Sequence, residues 1–280
     1  NLAKMGDQRI ALVTGGTSGI GKGLVEALAK SGVAVHFIGS SEAKGAALEQ
    51  QLVALGHTGC RFVKCDLSSV KDTQAMARRF SAEVPHLDVL ANCAGILPGP
   101  VFKASTEGVE LSLAVALLST FILSTELAPL LAKSANPRII NVGGSPGMMM
   151  KPQSFAKLNT KEGFKGVATG FESVHCKVVL TQILANRYPG VEVDVFNPGL
   201  VKGGAARNLV FPMSVAFSIV LMFANKESKL GVQLATPVAS LRATGSFFTK
   251  PGAPPKPLVF EQPYMDELSA ITDTLIAQAL

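Results

Sequence analysis

The sequence predicts an α/β protein: a single doubly wound Rossmann-type parallel sheet with helices on both faces. Short β-branched apolar runs alternate with helical stretches from one end of the chain to the other. The runs are continuously apolar, which is typical of parallel strands covered on both faces. With 280 residues, 48% of them hydrophobic and 16% charged, the chain is long enough to bury one large core.

Seven runs are predicted strands, and six stretches with helical spacing are predicted helices. The strands are Arg9–Thr14, Val33–Ile38, Arg61–Cys65, Leu87–Ala91, Arg138–Val142, Val191–Phe196 and Ser246–Thr249. The helices are Gly19–Lys30, Glu42–Leu55, Ser69–Glu83, Thr106–Ser134, Phe171–Arg187 and Met265–Ala279. We expect one domain over residues 1–280, with a nucleotide-binding core (5–200), lid helices (200–245), and a C-terminal arm and helix (250–280) whose arm is the Pro-rich Lys250–Pro257.

Composition excludes several classes of protein. High hydrophobicity with few charges excludes disorder. The net charge of +6 does not indicate nucleic-acid binding, because the longest basic run is the doublet Arg78-Arg79. The four cysteines show no Cys-x-x-Cys pair and no metal-ligand spacing, so we expect reduced thiols and no metal site.

Two apolar segments predict contacts beyond the sheet. Val210–Ala224 is uncharged, but Pro212 interrupts it and it is shorter than a membrane span. It is either a buried helix or a surface element for a membrane or partner. Thr106–Ser134 is apolar on more than one face, so a second copy or another protein is expected to cover it, with Phe171–Arg187 as part of the same interface.

A glycine-rich loop follows the first predicted strand directly and opens a helix. It reads Thr14-Gly15-Gly16-Thr17-Ser18-Gly19-Ile20-Gly21. Glycines in this place allow a tight turn, close approach of the backbone to a pyrophosphate, and close packing of helix on strand. The helix N-terminus adds free N–H groups for the phosphates. The loop therefore predicts a dinucleotide site.

The loop and several later motifs, in order, resemble the short-chain dehydrogenase/reductase superfamily. These motifs are the GxxxGxG spacing, Asp66 in CDLS, Asn92-Cys93-Ala94-Gly95, Lys177, and Asn197-Pro198-Gly199. The segments VVLTQILANRYP and ATGSFF are most similar to the orphan, retinol-dehydrogenase-like branch. The resemblance implies a nicotinamide cofactor held by Thr14, Gly15, Thr17, Ser18, Gly19, Ile20, Gly21, Ser40, Asp66, Leu67, Asn92, Ala94, Gly95, Lys177, Pro198 and Gly199.

The end of the second predicted strand bears on the choice of cofactor. It reads Gly39-Ser40-Ser41, with neither an acidic residue for a ribose 2′-hydroxyl nor an arginine for a 2′-phosphate. The two serine hydroxyls with Lys44 favour NADP over NAD, although NAD also fits. Alternatively, Ser41 caps the helix that begins at Glu42.

The resemblance also implies a catalytic Tyr, Ser, Asn and Lys, and the chain keeps only Lys177. Ser173 stands four residues before it, where the family has the general-acid Tyr, and its hydroxyl is too weakly acidic for that role. Gly144 and Ala116 fall on the Ser and Asn positions, and Ser145 reaches the site only if its loop shifts.

Other side chains do not replace the missing acid. His175 is expected to face away from Lys177 around the helix. Tyr188 and Tyr264 lie too far along the chain, and Cys93 is expected to be an inert buried thiol.

Three functions remain as hypotheses. The first is a catalytically impaired member that retains NADP(H) and acts as an accessory subunit of an assembly. The second is an active NADP-dependent oxidoreductase for a lipophilic carbonyl or alcohol, and the third is a peripheral membrane protein held by Val210–Ala224. A start at Asn1 and the basic balance fit a mitochondrial location, with the cytoplasm as the alternative; secretion is not expected.

Overall fold

The computed structural model describes residues 8–199, 201, 208, 229–236 and 244–280. These residues form an eight-stranded sheet in the order β3-β2-β1-β4-β5-β6-β7-β8. Neighbouring strands are parallel except for the antiparallel pair β7–β8. The strands are β1 Ile10–Val13, β2 Ala34–Gly39, β3 Arg61–Lys64, β4 Val89–Asn92, β5 Arg138–Val142, β6 Glu192–Phe196, β7 Ser246–Phe248 and β8 Lys256–Pro257. The predicted fold class is confirmed.

Helices connect the strands along the described part of the chain. They are α1 Gly19–Lys30, α2 Glu42–Ala54, α3 Val70–Glu83, α4 Leu111–Leu113, α5 Ser119–Glu126, α6 Ala128–Leu131, α7 Ser145–Met149, α8 Val167–Arg187, α9 Lys229–Ala235 and α10 Gln262–Ala279. A π turn, Ala114–Leu118, joins α4 to α5, and a 3₁₀ turn, Phe155–Lys157, precedes α8.

Strand β1 shows why the sheet is covered on both faces. Ile10 and Leu12 belong to one apolar cluster, with helices α3, α5, α8 and α10, whereas Ala11 and Val13 belong to a second, with α1, α2 and α9. Successive side chains of a strand point to opposite faces. Each face of the sheet therefore has its own hydrophobic core, and the continuous apolar runs follow from that.

The predicted helix Thr106–Ser134 is wrong in its bounds and in its continuity. The helical backbone begins at Leu111, where Glu110 accepts a hydrogen bond from Leu113 N (2.9 Å) and caps the first turn. The π turn Ala114–Leu118 and a break at Leu127 then interrupt it, before Pro129 near the start of α6. Capping and backbone geometry override the uniform apolar pattern that suggested one helix.

The C-terminal arm Lys250–Pro257 is mostly exposed, and its end is attached to the sheet. Lys256–Pro257 adds β8 to β7, and Leu258 N donates to Gly245 O (2.8 Å). Helix α10 begins at Gln262, earlier than predicted, and packs against α8, α3 and the π turn. Residues 209–228, including the predicted segment Val210–Ala224, lie outside the described residues. Among the helices that are described, none is both long and apolar enough to cross a membrane.

Candidate active site

At several points of the loop between β1 and α1, the backbone adopts a conformation or a close contact that only glycine allows. Gly15 and Gly19 have φ of +64° and +54°. A Cβ on Gly21 would lie 2.4 Å from the carbonyl oxygen of Gly15, and one on Gly16 would lie 2.6 Å from Cβ of Phe37. The loop is therefore folded tightly on itself and on β2.

The start of α1 is available to a ligand. Ser18 is the N-cap residue in an extended conformation and makes no side-chain cap hydrogen bond. Its hydroxyl does not occupy the first-turn N–H groups, which are the groups that bind phosphate at helix N-termini. Thr17 lies against Gly39, where an added Cβ would be 2.6 Å from Thr17 Cγ2, and Ile20 packs against the second cluster.

Thr14 and Ala94 connect the glycine loop to the end of β4. Thr14 N donates to Ala91 O (2.9 Å), and the Thr14 hydroxyl accepts a hydrogen bond from Ala94 N (2.9 Å). Gly15 packs against Ala94, whose Cα would lie 3.2 Å from a Cβ at residue 15. Within the described part of the chain, and apart from the two residues next to Gly95 in the sequence, no heavy atom lies within 4 Å of the place where Gly95 would carry a Cβ. The carboxyl ends of β1 and β4 thus form one wall with open space beside it, as a dinucleotide requires.

Asn92 begins a buried polar chain that sequence reasoning did not foresee. Its amide donates to Asn141 Oδ1 (2.9 Å), and Asn141 donates to the hydroxyl of Thr181 (3.0 Å). Asn92 is 1% exposed, and its Oδ1 has no partner within the described structure. The signal in the sequence was an Asn at the end of each of two strands, which the β4–β5 register pairs directly.

Lys177 of α8 points into the same strand ends. Its ammonium donates to Ala94 O (2.8 Å) and Asn92 O (3.4 Å), and only 2% of the residue is exposed. Burial lowers the pKa of Lys177 to about 8. The ammonium of Lys177 therefore lies at the carboxyl ends of the strands, bound to backbone carbonyls.

Ser173, on the position of the general acid, is fully buried. Its hydroxyl donates to Thr169 O (2.9 Å) and lies 3.3 Å from the hydroxyl of Ser112, which in turn donates to Glu110 (2.5 Å). Sequence reasoning missed Ser112 and Glu110 as neighbours, because they precede α8 by some sixty residues in the sequence. The hydroxyl of Ser173 is thus engaged inside the protein.

The other two catalytic positions carry no functional side chain. Gly144 has φ of +132°, a conformation that strains any L side chain. Ala116 is 1% exposed within the π turn. Ser145 is exposed and accepts a hydrogen bond from the Asn197 amide (3.2 Å), so it faces the Asn197-Pro198-Gly199 turn. Gly199 completes that turn with φ of +69° and donates to Asn197 Oδ1 (3.2 Å).

The residues after β2 and β3 are placed at the same edge of the sheet. Ser40 is exposed, whereas Ser41 accepts from Lys44 N (3.4 Å) and caps α2, as the alternative prediction had it. Asp66 is exposed and accepts hydrogen bonds from Ser68 N (3.0 Å) and the Ser68 hydroxyl (2.8 Å), while Leu67 is buried beside it.

His175 points away from Lys177 and binds other parts of the fold. Its two ring nitrogens lie 2.7 Å from Gly147 O and 3.1 Å from the Tyr264 hydroxyl. Burial lowers its pKa, so the neutral ring donates through Nδ1 to Gly147 and accepts at Nε2 from Tyr264. Tyr264 is therefore tied to α8 on the face opposite the site. Cys93 is half-buried, and burial raises the pKa of its thiol to about 12.

The doubly wound sheet and the glycine loop after β1 define a dinucleotide-binding type of fold. The sequence comparison identifies the family. Residues 9–210 match the short chain dehydrogenase family. The match covers well over half of the chain, so the protein belongs to this family. The expected membership of the superfamily is confirmed.

Individual relatives point to the same branch. Human retinol dehydrogenase 11 is 31% identical over 209 residues, which cover 72% of this chain and 64% of that protein. Mouse L-fucose dehydrogenase is 32% identical over 196 residues, covering 68% and 64%. The chain thus spans less than two thirds of the length of these curated relatives. The predicted similarity to retinol dehydrogenases is confirmed.

Solved structures share the fold. RhlG of Pseudomonas aeruginosa, determined as an NADP active-site complex, has a TM-score of 0.66 and 25% identity, covering 87% of this chain and 95% of RhlG. Salutaridine reductase from Papaver somniferum has a TM-score of 0.65 and 20% identity, covering 86% and 99%.

Proposed function

We propose that this chain binds NADP(H) without carrying out the family's proton transfer, and that it acts as an accessory subunit in a larger assembly. The proposed loss of catalysis rests on the burial and the hydrogen bonds of Ser173. Its hydroxyl has no exposed surface and is engaged by Thr169 O and Ser112. A general acid must reach the reacting oxygen, and positioned proton transfer contributes about 10²–10⁴ in rate.

The neighbouring positions support this conclusion. Ala116 is sealed in the π turn, and the backbone of Gly144 strains any serine placed there. Lys177 remains, but its ammonium is held by Ala94 O and Asn92 O. When bound, the cofactor would supply a hydride; no described side chain at the four family positions is placed to move the accompanying proton.

Cofactor binding rests on the wall formed by the glycine loop, the N-terminus of α1 and Ala94. Among the described residues, the space next to Gly95 is open and supports room for the ligand. NADP is favoured over NAD, because the exposed residue that follows β2 is Ser40 and not an acidic residue that would bind a ribose 2′-hydroxyl.

Thermal unfolding with saturating NADPH, and separately NADH, tests cofactor binding. A ligand present at 100 times its dissociation constant stabilises by about 2.7 kcal/mol. For a chain of this size we expect the unfolding temperature to rise by roughly 5–10 °C with NADPH. An unchanged unfolding temperature with both nucleotides would contradict the proposal.

The alternative is an active NADP-dependent oxidoreductase for a lipophilic carbonyl or alcohol. Ser145 favours it, because its exposed hydroxyl accepts from Asn197 and keeps its own proton free to donate. NADPH consumption with a panel of aldehydes, ketones and retinoids separates the two proposals. Turnover that Ser145→Ala abolishes would establish the enzyme and exclude the impaired member.

The accessory role requires a partner, which we propose to bind through the α4–α6 region and α8. Because α10 packs against α8, the partner surface would include α10. Light scattering of the purified chain distinguishes a homodimer from a monomer whose partner is a different protein. Cell fractionation tests the proposed mitochondrial location against the cytoplasm. The segment Val210–Ala224, which lies outside the described residues, stays a proposed membrane or partner contact.

A further inference from the structure

An exposed basic surface lies where the loop after β4 meets the connection that leads into α8. We define this basic rim by four exposed lysines: Lys103, Lys157, Lys161 and Lys165. Lys103 belongs to the loop, and the other three belong to the connection. The rim lies outside the nucleotide loop and the catalytic positions.

Several contacts hold these two segments together. The rings of Phe102 and Phe164 are 5.6 Å apart in an edge-to-face arrangement. The side chain of Asn159 accepts from Glu110 N (2.7 Å) and donates to Gly108 O (3.3 Å). The four lysines therefore share one edge of the molecule, although more than fifty residues separate the first from the second.

The carboxylates of these segments neutralise only part of the rim. Glu107 is turned inward to the start of α3, accepting from Val70 N (2.6 Å) and the Ser69 hydroxyl (2.7 Å). Glu110 has no exposed surface. Glu172 pairs with Lys165 at 3.3 Å, and Glu162 is exposed. The exposed charge of the rim is therefore positive.

Apolar side chains accompany the lysines. Val101 is 65% exposed beside the half-buried Phe102. The connection that carries three of the lysines follows directly on the end of α7, where Met149 is 80% exposed and Met148 is 39% exposed. Lysines beside exposed apolar side chains fit the boundary of an anionic bilayer, where the charges meet headgroups and the apolar groups enter the acyl region.

We propose that the basic rim binds the surface of an anionic lipid bilayer. The argument is charge complementarity together with the exposed apolar side chains, which an acidic protein would not require. The loop after β4 starts at Cys93, at the carboxyl end of that strand, so the bound orientation would turn the carboxyl edge of the sheet toward the lipid. The proposal does not depend on cofactor binding or on catalysis.

Vesicle co-sedimentation of the whole chain tests the proposal. We expect binding to phosphatidylcholine vesicles with about 30% phosphatidylserine, weak binding to pure phosphatidylcholine, and strong weakening in about 0.5 M NaCl. Each lysine at such a surface contributes roughly five-fold in affinity. The variant Lys157→Glu/Lys161→Glu should therefore bind at least about 25-fold more weakly.

The matched control is Lys30→Glu/Lys133→Glu, which reverses two exposed lysines outside the rim. It should bind anionic vesicles as the wild type does, and thermal unfolding should show that both variants fold. Absence of binding to anionic vesicles overturns the proposal, as does equal loss in the control. Undiminished binding of the rim variant would assign the lipid contact to another part of the chain. Binding to polyglutamate but not to vesicles would assign the rim to an acidic protein.

Discussion

The glycine loop and the catalytic positions meet at one edge of the sheet, yet they differ in what the fold requires of them. In the loop, Gly16 and Gly21 leave no room for a Cβ against Phe37 and the Gly15 carbonyl. Packing alone demands these glycines, whether or not a nucleotide binds. At the catalytic positions, packing has closed around small residues such as Ser173 and Ala116. The glycines of the loop are therefore weak support for nucleotide binding. The close packing around Ser173 and Ala116 is stronger support for the proposed loss of catalysis.

The largest expected effect comes from closing the loop, because this change acts on both stability and cofactor binding. In Gly21→Ala the new Cβ would lie 2.4 Å from the Gly15 carbonyl oxygen, so the backbone must move. We expect a loss of about 1–3 kcal/mol in the free energy of unfolding, as for other overpacked sites. Calorimetry should also show that NADPH no longer stabilises the variant.

The matched control is Gly190→Ala, because no heavy atom lies within 4 Å of a Cβ at that position. It should unfold and respond to NADPH as the wild type does. A Gly21→Ala variant that keeps its full NADPH response would show that the nucleotide, if bound, does not use this loop.

Lys177 links the two regions and gives the next effect. Its folded pKa of about 8 lies below the unfolded value of 10.5, so the unfolded chain binds more protons between these values. The contribution to stability is present above pH 10.5 and is lost as the pH falls through 8. A difference of this size corresponds to about 3 kcal/mol, from about 1.4 kcal/mol for each pKa unit.

Lys177→Met removes the titrating group but keeps the length of the side chain. The free energy of unfolding, followed by urea titration from pH 7 to 10.5, should rise with pH in the wild type more than in the variant. Identical pH profiles would mean that the ammonium is not buried as the structure has it. A parallel loss of NADPH affinity would show that the lysine still serves the cofactor site.

Much of the fold could be predicted because strand and helix periods survive in this sequence. Helix α1 and strand β5 have the predicted bounds, and the first three helices differ by at most one residue at either end. The helix Thr106–Ser134 could not be placed, since all of its faces are apolar and only the Glu110 cap and the π turn define its true course. Strand β8 was not predicted, because Pro-rich segments are typical of irregular structure.

The site was predictable only where residues are close in sequence. The spacing of Ser173 and Lys177 placed both on α8, and the proposed loss of the general acid rests on that spacing. The engagement of Ser173 by Ser112, and the tie between His175 and Tyr264, depend on contacts across 61 and 89 positions. No local pattern carries such information without the tertiary structure.

A tyrosine at position 173 tests whether the catalytic positions are closed by packing. Ser173 is fully buried against Ser112 and Thr169, so Ser173→Tyr should destabilise the protein by about 1–3 kcal/mol. It should not restore turnover of a carbonyl panel with NADPH. Ser173→Ala, which only removes a hydrogen bond, should cost about 1 kcal/mol. Turnover by the tyrosine variant would show that position 173 can open onto the site and would contradict the proposed loss of catalysis.

The smallest effect concerns the edge of the nucleotide site at β2. Ser41 caps α2 through Lys44 N (3.4 Å), so Ser41→Ala should cost about 1 kcal/mol in the free energy of unfolding. Because that hydroxyl is engaged in capping, the ratio of NADPH to NADH affinity should not change. Ser40→Asp is the informative counterpart: its carboxylate would bind a ribose 2′-hydroxyl and repel a 2′-phosphate, shifting preference to NADH. If Ser41→Ala alters the ratio as strongly as Ser40→Asp, then Ser41 contacts the cofactor and the cap is secondary.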